Sequence, residues 1–113
     1  MDKIEKYRQN IIQLLENHSN IQPLKQEDIE TQIIIDSKND HYQLLSIGWK
    51  EDERIFGCIF HFDIKNGKIW IQRNMSDIQL AKELEGMGVP KSDIVLGLQP
   101  PSMRKFTEYA YEN

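Results

Sequence analysis

The dipeptide Asn66-Gly67, set inside DIKNGKIW, constrains this chain more than any other feature. A two-residue hairpin turn of type I′ needs positive φ at both central residues, and Asn-Gly supplies it at the least steric cost. A turn there places Ile64 opposite Ile69, Phe62 opposite Ile71 and Asp63 opposite Trp70. From Ile29 to Asn74 apolar residues recur with period two and Ile, Tyr, Phe and Trp are concentrated, so the hairpin belongs to a set of antiparallel strands, read as 29–36, 41–49, 54–64 and 68–74. The charged run from Lys50 to Glu53 joins the second strand to the third. A tight loop at that point sets Trp49 opposite Arg54, Ile47 opposite Phe56 and Leu45 opposite Cys58.

Unbroken alternation along these strands gives one apolar face, holding Leu45, Ile47, Trp49, Phe56, Cys58, Phe60, Phe62, Ile64, Ile69 and Ile71, which is expected to be the main core. The opposite face carries Tyr42, Ile55, Ile59, His61, Asp63 and Trp70, joined by Ile33, Ile35 and Leu44. It is too apolar to stand bare, so either a helix of this chain or another subunit must cover it. Those first six residues are the candidate partner or dimer interface, with Trp70 as its anchor. Packing of Trp70 beneath the chain's own C-terminal segment is the competing reading.

Ahead of the sheet, Ile4, Tyr7, Ile11, Leu14 and Leu15 recur at three- and four-residue steps, the spacing of an amphipathic helix. Asp2 and Glu5 stand at capping distance, and the helix should stop by 17–20, before Pro23, with a polar connector from Gln22 to Asp28. After the sheet, Ser76 and Gln79 repeat the capping spacing, and Ile78, Leu80, Ala81, Leu84 and Met87 form the apolar side of a short helix. Gly88 ends it at a C′ position. The stretch KSDIVLG reads as extended, and Pro100-Pro101 precedes a last amphipathic turn or helix holding Met103, Phe106, Tyr109 and Ala110. At 113 residues the chain is expected to be one domain, 1–113, of class α+β: an N-terminal helix, about four antiparallel strands, then C-terminal helices.

A formal charge of −4 argues against direct nucleic-acid binding, which needs a basic surface for phosphates. One cysteine, Cys58, allows no internal disulfide, and its apolar neighbours point to a structural thiol. No apolar run approaches the ~18 residues of a membrane span, and MDKIEKYRQN has no signal region, so the expected location is the cytoplasm. Possible metal ligands are His18, His41, His61, Cys58, Asp36 and Asp63. Only His61-x-Asp63 shares one side of a strand, and no familiar zinc spacing occurs, so neither a metal nor another cofactor is expected to be required. No nucleophile elbow, dinucleotide fingerprint or Walker lysine is present, and no catalytic residue is assigned.

Five stretches taken together resemble the XisI family of fdxN-type element excision controlling factors. They are DKIEKYRQNIIQLL, DHYQLLSIGW at 40–49, GCIFHFDIKNGKIWIQ at 57–72, GVPKSDIVLGLQPP at 88–101 and RKFTEYA at 104–110. The resemblance implies a small cytoplasmic bacterial protein, encoded beside a larger XisH partner, that helps a site-specific recombinase excise a DNA element interrupting a nitrogen-fixation gene. XisH-type proteins resemble nucleases, which suits a regulator of that partner. The family supplies no catalytic residues to carry over. Leu98-Gln99 departs from the Phe-His that relatives often carry before the double proline.

The expected function is therefore a non-enzymatic controlling factor that binds a XisH-type protein and forms a homo-oligomer, most simply a dimer. Two alternatives have structural discriminators. A small enzyme using His61 and Asp63 requires a third polar group converging in a concave pocket. A direct DNA-binding recombination cofactor requires Lys25, Lys38, Lys65, Lys68 and Arg73, or Lys91, Arg104 and Lys105, to gather in one stripe.

Overall fold

The computed structural model describes residues 2–19 and 28–111, so the predicted connector lies outside the described residues except for Asp28. The elements are α1 (Lys3–His18), β1 (Ile29–Asp36), β2 (His41–Lys50), β3 (Glu53–Lys65), β4 (Lys68–Asn74), α2 (Leu80–Gly86), a 3-10 turn (Lys91–Asp93), β5 (Ile94–Leu96) and α3 (Pro101–Arg104). Among them no helix is long and apolar enough to cross a membrane.

The two hairpins form as the sequence predicts. Asn66 and Gly67 take φ of 53° and 76°, and Ile64, Phe62 and Asp63 face Ile69, Ile71 and Trp70. At the other tip, Trp49, Ile47 and Leu45 face Arg54, Phe56 and Cys58. The predicted four-stranded antiparallel sheet is extended by a fifth strand. The sheet order is β1-β2-β3-β4-β5, and β5 pairs parallel with β4. A parallel neighbour requires a crossover, and the segment containing α2 provides it.

Between the two correctly predicted registers, β3 carries one residue more than β2. Leu44 faces Phe60 whereas Leu45 faces Cys58, leaving Ile59 as the extra residue of a β-bulge. A one-residue slip sends every later side chain to the other face. Leu45, Ile47, Trp49, Phe56 and Cys58 therefore leave the predicted core face, and Trp49 and Phe56 are 48% and 68% exposed. Tyr42 and Leu44 make the reverse move. They are fully buried with Phe60, Phe62, Ile64, Ile69 and Ile71, against Tyr7, Ile11, Leu14 and Leu15 of α1 and Leu80, Ala81 and Leu84 of α2. Both main helices thus cover one face of the sheet, and the other is the outer face.

Local capping follows the sequence at two helix ends and fails at a third for a visible reason. Asp2 accepts the Glu5 N–H at 2.8 Å. Gly88, at φ 97°, donates to Glu85 while Val89 donates to Leu84, which satisfies the last carbonyls of α2. The predicted cap at Ser76 does not form. Asn74 Oδ1 accepts from both the backbone and hydroxyl of Ser76, and the Ser76 hydroxyl accepts from Ile78 N–H, so a polar turn holds 74–78 and α2 starts at Leu80.

Polar anchors fix α1 to the sheet. Arg8 grips Asp40 with two N–H groups at 2.8 and 3.2 Å, and the buried Tyr42 hydroxyl donates to the same carboxylate at 2.8 Å. The Tyr7 hydroxyl donates to Asp93 at 2.5 Å, and Lys3 lies 2.9 Å from that carboxylate. The predicted last helix is one turn, α3, after which the chain returns along β5, where Ala110 N–H donates to Ile94 at 2.8 Å. Arg104 donates to the carbonyls of Leu96, Gly97 and Gln99.

Candidate functional site

The predicted interface set divides between the two faces. Tyr42 lies in the core, Ile55 is paired with Gly48 on the helix side, and Ile59 packs against the core cluster. His61, Asp63 and Trp70 stay on the outer face. Trp70 is 5% exposed, with the Lys65 ammonium 4.1 Å and the Arg104 guanidinium 5.2 Å from its ring centroid. Gly97 passes so close that a Cβ there would meet the indole at 3.1 Å. Trp70 is therefore covered by the chain's own C-terminal segment, as the competing reading has it.

The bulge also builds a polar cluster. Uninterrupted pairing from the Lys50–Glu53 turn would set His41 opposite Phe62; the extra residue sets it opposite Asp63, and Gln43 opposite His61. His41 Nδ1 and His61 Nε2 both lie 2.7 Å from Asp63 Oδ1. Gln43 Nε2 lies 2.8 Å from His61 Nδ1, and Gln72 Nε2 donates to Asp63 Oδ2 at 3.2 Å. Gln72 reaches this spot because it is the extra residue of a second bulge, in β4. With Cys58 and Arg73, the residues Gln43, His61, Asp63 and Gln72 line a shallow, open depression.

Electrostatics follow from these contacts. Burial raises the Asp63 pKa, but the hydrogen bonds from His41 and His61 outweigh it and hold the carboxyl below its ordinary value. The hydrogen bond to Asp63 raises His41 above the ordinary imidazole value, against a smaller opposing effect of desolvation. Burial raises the Cys58 thiol, only partly offset by Arg73, and the thiol donates to Phe60 O at 3.0 Å. Cys58 is thus not an activated nucleophile.

The signs define a pH window. Asp63, with a depressed folded pKa, contributes stability that is lost as pH falls through that value. His41, with a raised folded pKa, contributes stability that is lost as pH rises through it. A titration of the histidine ring signals by NMR is expected to show the His41 midpoint above that of a free imidazole, and Asp63→Asn is expected to lower it. An unchanged midpoint in the variant would show that the pair does not form.

The structural discriminators give different answers. His61 and Asp63 do converge with a third polar group, His41, but beside an open depression rather than in the concave pocket that the enzyme reading requires. Of the two basic stripes, Lys91 lies 3.2 Å from Glu108 and 3.8 Å from Glu85, Arg104 is engaged with backbone carbonyls, and Arg73 donates to Cys58 O. Lys25 lies outside the described residues. At its far end the outer face is apolar instead: Trp49 and Phe56 stand exposed around Leu45 and Ile47, with Arg54 over the Trp49 ring at 5.2 Å.

A family model described as XisI protein matches residues 1–111. A crystal structure of a XisI-like protein from Anabaena variabilis ATCC 29413 is 43% identical, covers 98% of this chain and 100% of its own, and superposes with a TM-score of 0.89. The fdxN element excision controlling factor XisI from the same organism is 32% identical over 98% of this chain and 100% of its own, with a TM-score of 0.84. No curated protein matches the chain.

Proposed function

The chain belongs to the XisI family, and from that premise we propose that it is a non-enzymatic accessory factor in excision of a DNA element, acting by binding a XisH-type partner protein. The observation that supports this reading is the exposed aromatic pair Trp49 and Phe56 on the outer face. Two large rings beside Leu45 and Ile47 make a contiguous apolar patch, and aromatic anchors of this kind carry most of the energy in protein interfaces. The anchor thus moves from Trp70 to Trp49 and Phe56. A charge of −4 favours a protein surface over a phosphate backbone as the target.

Copurification with the XisH-type protein, followed by an excision assay with and without this chain, tests the proposal. Phe56→Asp places a charge in the patch without touching the core, and is expected to weaken partner binding by about 30-fold or more, the loss of a hot-spot residue. Wild-type affinity in that variant would overturn the assignment of the patch. Sedimentation of the chain alone addresses the other occupant: a dimer that Phe56→Asp dissociates, with partner binding intact, would assign the patch to a second copy instead.

A further inference from the structure

We propose that His41, His61 and Asp63 form a binding site for one divalent transition-metal ion of the Zn2+ type, open to the depression on the outer face. The donor atoms of the three residues lie within 4.8 Å of one another, and Asp63 Oδ1 is 2.7 Å from a ring nitrogen of each histidine. Tetrahedral zinc with bonds of about 2.0–2.2 Å spaces its ligand atoms roughly 3.3 Å apart, so side-chain rotations alone suffice to admit the ion. The backbone positions are fixed by the sheet: His41 faces Asp63 across the ladder, and His61 is two residues along the same strand and face.

Donor chemistry selects the ion. Two imidazoles and one carboxylate suit Zn2+, Co2+ or Fe2+, whereas Mg2+ and Ca2+ take oxygen ligands. Two of the ligands, the half-buried His61 and Asp63, are already held from behind by hydrogen-bonding side chains. Gln72 holds Asp63 Oδ2 and Gln43 contacts His61 Nδ1. With its amide turned end for end, Gln43 Oε1 accepts from Nδ1–H and leaves the Nε2 lone pair of His61 to the metal. Three protein ligands leave at least one position open, where His41 is 55% exposed, for water or for a side chain of a bound partner. A structural zinc site would be closed by four ligands, so this ion is exchangeable and the fold does not depend on it.

The test uses the full chain stripped by chelator and titrated with Zn2+ by calorimetry, with Co2+ absorption as a reporter of coordination. One ion per chain is expected, uncontested by excess Mg2+. His41→Ala and His61→Ala should each weaken binding by more than the roughly 10–100-fold typical of losing a group that only hydrogen-bonds a ligand, and Gln43→Leu by that smaller amount. Phe56→Asp should bind the metal as the wild type does, because it lies outside the cluster. Thermal melts confirm that each variant is folded, which the exposure of His41 favours. Absence of saturable one-to-one Zn2+ binding by the wild type, or undiminished binding by the folded double variant His41→Ala/His61→Ala, would overturn the proposal.

Discussion

Phe60→Ala is expected to lower the stability of the fold by about 3–5 kcal/mol, the usual cost of emptying a fully buried aromatic site. Phe60 has no exposed surface, faces Leu44 across the ladder, and lies among Phe62 and His18 at ring-centroid distances of 6.4 and 6.1 Å. Phe56→Ala, four residues earlier on the same strand, is expected to change stability by no more than about 0.5 kcal/mol, because its ring is 68% exposed. Strict alternation assigns both residues to one face, so unequal losses in denaturant melts would report the bulge at Ile59 directly. A loss below about 1 kcal/mol for Phe60→Ala would remove it from the core.

This pair of phenylalanines also marks the limit of what was legible in the sequence. Turn chemistry is local, so Asn66-Gly67 and the Lys50–Glu53 tip each fix a register that the structure reproduces. A bulge is a negotiation between two strands. Ile59 is an ordinary β-branched residue; Gly57, two residues earlier, is the kind of strand glycine that accompanies a bulge, but it does not say which position is the extra one. The misassigned residues all follow from that one position: Tyr42 and Leu44 on one side of it, Trp49 and Phe56 on the other. β5 was foreseen as an extended piece, but three residues carry too little pattern to assign a partner strand or its direction.

The polar cluster was half legible for the same reason. His61 and Asp63 share a face by spacing within one strand, which period two guarantees. His41 joins them only if the register between β2 and β3 slips by one, and Gln72 only through the second slip in β4. In both cases a local irregularity concentrates polar groups at one spot, and the same slip that exposes Trp49 and Phe56 draws His41 to Asp63. The apolar patch and the pairing of His41 with Asp63 are two consequences of one inserted residue, to which the bulge in β4 adds Gln72.

Trp70→Ala is expected to cost about 3–5 kcal/mol in the monomer, the range for truncating a buried aromatic residue. The sequence allowed Trp70 to be an interface anchor, in which case its loss would spare the monomer and abolish association. The structure instead places the indole beneath Gly97 and Arg104 and within reach of the Lys65 ammonium, so the ring is the floor on which the C-terminal segment rests. Removing it should also free that segment: the amide of Ala110, bonded to Ile94 O at 2.8 Å, should exchange with solvent faster in the variant. Trp70→Phe should cost less, because it keeps part of the apolar floor and deletes an indole N–H that has no partner. Wild-type stability and unchanged Ala110 exchange in Trp70→Ala would return Trp70 to the interface; their loss, with partner binding restored in Trp70→Phe, would leave recognition to Trp49 and Phe56.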